Sequence, residues 1–129
     1  MNIKPLLQAV WLADEVRKDE STGKVTVTGI FDQIFATPHS AHFEGAAYLF
    51  FTLRGIRGKT ELVLRYVDLG NNNVLLEQPI SVASADPLAT TDVTVRASRI
   101  PVPHAGRYAW EVWWHDEVIG CSCVTADIL

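Results

Sequence analysis

Thiols, imidazoles and indoles are the side chains here that could do chemistry, and many of them crowd into one stretch. WEVWWHDEVIGCSC, Trp110 to Cys123, holds three of the four tryptophans, one of the four histidines and both cysteines. Two thiols one residue apart are half of a soft-metal ligand set, and neighbouring indoles make a flat platform. A zinc site usually takes four ligands, and there is no third cysteine, so histidines would have to complete it. The candidates are His39, His42, His104 and His115. His39 and His42 are spaced i, i+3, which suits a helix, yet the segment after Pro38 reads as a loop. These are expected to be solvent-exposed loop histidines, and no metal and no cofactor is expected.

Hydrolytic and nucleotide chemistry find little purchase. The chain lacks a G-x-S-x-G elbow, a P-loop, an H-E-x-x-H pair and a dinucleotide fingerprint. Asp14-Glu15 and Asp116-Glu117 are adjacent residues, which point to opposite faces of a strand and so make no acid–base couple. No catalytic residue is nominated, and the chain is expected not to be an enzyme.

The elements that must carry these residues alternate with period two and are broken by frequent turns. LLQAVWLADEV (Leu6 to Val16) and KVTVTGIFDQIF (Lys24 to Phe35) read as strands, and Gly29 inside the second predicts a bulge or a close backbone approach. AAYLFFTLRG is the most apolar strand and is expected to be central, with Leu49, Phe51 and Leu53 inward. KTELVLRYVDL puts Leu62, Leu64 and Tyr66 on one face. GNNN is a turn, and Pro79 marks VLLEQPI as an edge strand or a strand end. TDVTVRASRI alternates again, and PVPHAG bends the chain into a final hairpin.

If Asp116-Glu117 is the hairpin turn, Trp113 pairs with Gly120, Val112 with Cys121 and Trp110 with Cys123. Tyr108, Trp110, Val112, Trp114, Ile119, Cys121 and Cys123 then face the core, where reduced cysteines act as small hydrophobes. Glu111, Trp113, His115, Val118 and Val124 face outward. HAGRYAW places Tyr108 just inside a strand after a tight turn, which resembles the tyrosine corner of immunoglobulin-like domains. Trp110 stands where such domains usually carry an inter-sheet cysteine. The expected fold is all-β: one immunoglobulin-like antiparallel β-sandwich domain, residues 1–129, of about eight strands.

TGKVTVTGIFDQIF, RGIRGKTELVLRYVD and GRYAWEVWWHDEVIG together resemble a family of small uncharacterised bacterial proteins. In that family a Gly-Lys hairpin leads to a G-x-F-D-x-I strand and the chain ends in a G-x-Y hairpin. The resemblance implies a fold and no activity.

Composition limits the partners. Charged residues make up 20% and the net charge is −4, which argues against nucleic-acid backbone binding. No apolar run approaches the roughly 18 residues needed to span a bilayer. The opening MNIKPLLQAVWLADEV makes a poor signal peptide, so no membrane association and a cytoplasmic location are expected. What remains is apolar surface on an outward face. The expected interaction residues are Trp113, with Tyr48 and Phe50 as weaker companions and His115 beside it on the hairpin, on the outer face of the sheet that holds the last hairpin. They point to a non-enzymatic interaction or assembly module that binds a protein partner or a second copy. The alternatives are a carbohydrate-binding sandwich using the same aromatics, or a small metal-dependent enzyme built on His39, His42 or His104. A structural reading of Trp113, as a cover over Gly120 across the hairpin, competes with all three.

Overall fold

Alternation of apolar and polar side chains produces strands with one buried face, and two such faces must meet. The computed structural model describes residues 3–129, and its elements run β1 (Leu6–Lys18), β2 (Val25–Ile30), β3 (Gln33–Ala36), β4 (His42–Phe43), β5 (Ala47–Arg54), β6 (Gly58–Asp68), β7 (Asn73–Ser84), β8 (Thr91–Ala97), β9 (Ile100–Pro101), β10 (Gly106–Trp114) and β11 (Glu117–Ile128). Met1 and Asn2, the start of the segment weighed as a leader, lie outside the described residues. Among the described residues no helix is long and apolar enough to cross a membrane.

One sheet has the order β2-β1-β5-β8 and the other β3-β11-β10-β6-β7, while β4 and β9 form a short separate pair. Leu12, Leu49, Phe51 and Leu53 from the first sheet meet Leu62, Leu64, Tyr66, Tyr108, Trp110, Val112 and Val124 from the second. As expected, β5 is central, lying between β1 and β8, and β7 with Pro79 is an edge strand. Asn72 turns the GNNN loop with φ 61°. Gly29 has φ +70° and sits against the Asp14 carboxylate, where any Cβ would collide.

The tyrosine corner is present. The Tyr108 hydroxyl donates to the His104 carbonyl and accepts from the His104 N–H at 3.3 Å. Taking β10 as the strand that carries the corner, β11-β10-β6-β7 is the order G-F-C-C′ and β1-β5-β8 is A-B-E, an immunoglobulin-like sandwich. The early part of the chain serves both sheets, because β3 crosses over to pair in parallel with β11.

Among the described residues, eight strands have six residues or more. The segment Lys24 to Phe35 divides in two at Phe31-Asp32, since β2 pairs with β1 and β3 with β11.

The final hairpin differs from its expected register. The turn is His115-Asp116, with His115 at φ 53°, and Trp114 pairs with Glu117. A bulge between Val112 and Trp113 shifts the ladder again, so Val112 pairs with Gly120, Glu111 with Cys121 and Ala109 with Cys123. A one-residue slip exchanges the two faces of a strand. Cys121 and Cys123 are therefore exposed, not core, and Val124 is buried, not outward.

Gly120 is covered from the opposite sheet by Leu7, whose Cδ2 lies 2.0 Å from where a Cβ would stand. Leu7, not Trp113, thus covers Gly120, against the competing structural reading of that tryptophan.

Candidate interaction surface

The four nominated interaction residues fall on two separate sheets. Tyr48 and Phe50 lie on β5, in the sheet β2-β1-β5-β8, whereas Trp113 is on β10 in the other sheet and His115 is an exposed turn residue. Sheet membership follows from long-range pairing, and β5 pairs with β1 and β8, so one patch joining all four does not form.

Trp113 is half-buried and fully engaged. Its Nε1–H donates to Glu111 Oε1 at 3.0 Å, and the Arg65 guanidinium lies 4.4 Å from its ring centroid. Arg65 Nε in turn donates to Glu77 Oε2 at 2.8 Å. The outer face of this sheet thus carries a chain of charge and π contacts over the tryptophan. Bare indole is not what it offers a partner.

The other sheet presents a different tryptophan. In β1 a bulge between Leu7 and Ala9 absorbs Gln8. Leu7, Val10 and Leu12 then point inward, opposite Leu53, Phe51 and Leu49, while Ala9, Trp11 and Ala13 point outward, opposite Thr52, Phe50 and Tyr48. Trp11 stacks on Phe50 with ring centroids 6.3 Å apart and planes 15° from parallel. Phe50 is only 5% exposed, although it stands on an outer face, while Trp11 is 40% exposed. Ile30, opposite Ala13 on β2, is 54% exposed.

Trp11, Phe50, Tyr48, Ala13 and Ile30 form an apolar centre. Around it lie Thr94 and Arg96 on β8, the Glu15–Arg17 pair, and Thr52, whose hydroxyl donates to Asp92 Oδ1 at 2.8 Å. An apolar centre with a polar rim is the anatomy of a protein-binding surface. The sequence did mark Tyr48 and Phe50. It missed Trp11 because the phase of β1 depends on the bulge at Gln8, and a plain two-residue period from Leu7 gives Trp11 the wrong face.

The histidines do not converge. His39 is exposed, and His42 places Nδ1 2.6 Å from the Ser40 carbonyl. His104 sits elsewhere, with Nε2 2.5 Å from Asp68 Oδ2 and Nδ1 2.8 Å from the Ala105 carbonyl. Among the described residues no three His, Cys, Asp or Glu side chains are grouped to hold a metal ion. Asp68 is buried, and its other oxygen accepts the Gly70 N–H at 2.8 Å. Both nitrogens of His104 face acceptors, which favours the imidazolium. The Ala105 carbonyl, then the Asp68 carboxylate, raise its pKa above the ordinary histidine value. Close by, burial pushes the Tyr66 phenol up, with Tyr108 and Asp68 adding to it, and its hydroxyl donates to the Pro101 carbonyl at 2.9 Å. Acid, base and phenols here close one end of the sandwich.

Residues 8–122 match a family described as a family of unknown function, DUF6941. The chain belongs to that family. No curated protein matches this member. Its fold resembles part of the Pseudomonas fluorescens alkylpurine DNA glycosylase AlkC, solved bound to DNA containing an abasic-site analogue. The TM-score is 0.52 at 12% identity, over 95% of this chain and 30% of the glycosylase. This DUF6941 chain therefore spans less than a third of that enzyme's length. An immunoglobulin-like protein from Pseudomonas aeruginosa is similar over 96% of this chain and 97% of its own, with a TM-score of 0.46 and 11% identity.

Proposed function

We propose that this DUF6941 chain is a non-enzymatic protein-interaction module that docks a protein partner through the outer face of the sheet β2-β1-β5-β8. The observation that carries the reading is Trp11, 40% exposed and stacked on a Phe50 that is itself nearly buried on an outer face. Such a stack is pre-organised: an indole held against a rigid support loses little freedom when a partner covers it. Aromatic anchors surrounded by polar groups are the usual energetic centres of protein interfaces. A net charge of −4 favours a protein over a nucleic-acid backbone as the partner.

A second copy of the chain is the simplest partner to test, since pairing one sheet face on another about a two-fold axis needs no further component. Light scattering over a concentration series, run on the wild type, Trp11→Ala and Trp113→Ala, reads self-association. Affinity capture with the same three baits reads other partners. Trp11→Ala is expected to abolish association while Trp113→Ala retains it, with both variants folded by circular dichroism. A chain that stays monomeric and captures no protein in a Trp11-dependent way would sink the proposal.

A further inference from the structure

Cys121 and Cys123 are free, both are exposed, and they occupy successive outward positions on β11. Their side chains therefore project in parallel from the outer face of the sheet that holds Trp113. Across the ladder, Cys121 faces Glu111 and Cys123 faces the small side chain of Ala109. Among the described residues no third His, Cys, Asp or Glu joins them in a metal-holding group, so the chemistry this pair can share is that of two sulfurs.

The backbone beneath them can deform. β3 pairs with β11 only from Thr125 to Ile128, so the Cys121–Cys123 stretch is held on its β10 edge alone. Two residues of extended strand rise roughly 6.4–6.8 Å, and disulfides seldom bridge Cα atoms more than about 6.8 Å apart. Parallel side chains leave their Cβ atoms about as far apart as the Cα atoms, whereas a disulfide needs them about 3.5–4.5 Å apart. Closing the ring therefore needs the strand to pucker by ~2 Å, which the unpaired edge permits. A ring held at that limit is strained, and strained exposed disulfides are readily reduced.

We propose that Cys121 and Cys123 form a reversible dithiol site on the face opposite the Trp11 surface, which exchanges with low-molecular-weight disulfides to give an intrastrand disulfide. One protein thiolate attacks a sulfur of RSSR and expels RS⁻, leaving a protein–SR mixed disulfide. The second cysteine, as thiolate, attacks the protein sulfur and expels another RS⁻. The two protons lost by the protein thiols go to the two departing thiolates. In sum, two protein thiols and RSSR become one protein disulfide and two RSH. Burial first, and the neighbouring Cys123 and Glu111 after it, hold the proton on Cys121, so exchange through its thiolate quickens as the pH rises.

Oxidised glutathione, added anaerobically to the full chain, tests this by intact mass and alkylation. The expected product has lost two hydrogens, resists alkylation at both cysteines and is restored by dithiothreitol. Cys121→Ser and Cys123→Ser should each stop at one stable glutathione adduct. A wild-type product carrying two glutathiones, a covalent dimer, or no product at all would each overturn the assignment.

Discussion

Gly120→Ala is the sharpest test of how the two sheets meet at the last hairpin. Its φ lies outside the left-handed region, so alanine suits the backbone, and the cost comes from what its methyl meets. The added Cβ would lie 2.0 Å from Leu7 Cδ2 and 3.2 Å from Leu7 Cγ. Carbon atoms rest about 3.5–4.0 Å apart, so the Leu7 side chain must give way by well over 1 Å, through a new rotamer or a shift of β1. Overpacking of this kind costs about 1–3 kcal/mol. Leu7→Ala alone, at a half-buried position, should cost about 1–2 kcal/mol, below the range for fully buried leucines. In the Leu7→Ala background the methyl meets no obstacle, and replacing glycine within a strand gains up to ~1 kcal/mol. The double variant should therefore be no less stable than Leu7→Ala, with a coupling of ~1–3 kcal/mol. Urea unfolding with a constant slope reads all four corners of the cycle. If Gly120→Ala costs the same with and without Leu7, within ~0.5 kcal/mol, Leu7 does not fill the site.

Two further outcomes follow from the corner beside β10. Tyr108→Phe removes the hydroxyl that joins both the N–H and the carbonyl of His104, and should lower stability by about 1–3 kcal/mol; an unchanged urea midpoint would contradict the corner's role. His104 has a folded pKa raised above its ordinary 6.5, so its contribution is complete below the unfolded value and fades as pH rises through the folded one. His104→Gln should accordingly be less stable than wild type in mild acid, with the gap narrowing toward alkaline pH, and an NMR titration of His104 should show a midpoint above the ordinary value. A gap that widens with rising pH would reverse the sign and refute the imidazolium.

Period-two patterning made the sandwich legible, because Leu49, Phe51 and Leu53, or Leu62, Leu64 and Tyr66, show their buried face directly. The corner was legible for a local reason too: Tyr108 bonds a residue four positions upstream. The surface was less so, since a face assignment extrapolates along a strand and fails at the first irregularity. One bulge at Gln8 turned Trp11 outward. A turn one residue earlier than Asp116-Glu117, followed by a bulge, turned both cysteines outward. Whether β5 and the last hairpin share a sheet depends on contacts far apart in the chain, and no local pattern encodes them.

The parallel pairing of β3 with β11 also governs the order of assembly. Among the described residues, residues 33–36 pair with residues 125–128, so during synthesis an early strand of the second sheet must wait for its partner until about 90 further residues have been made. Closing so large a loop is slow, as non-local strand pairings generally are. Ile34 and Ala36, which are almost wholly buried once β3 docks, stay open to water until then. Docking of β3 is thus expected among the last steps in the folding of this sandwich.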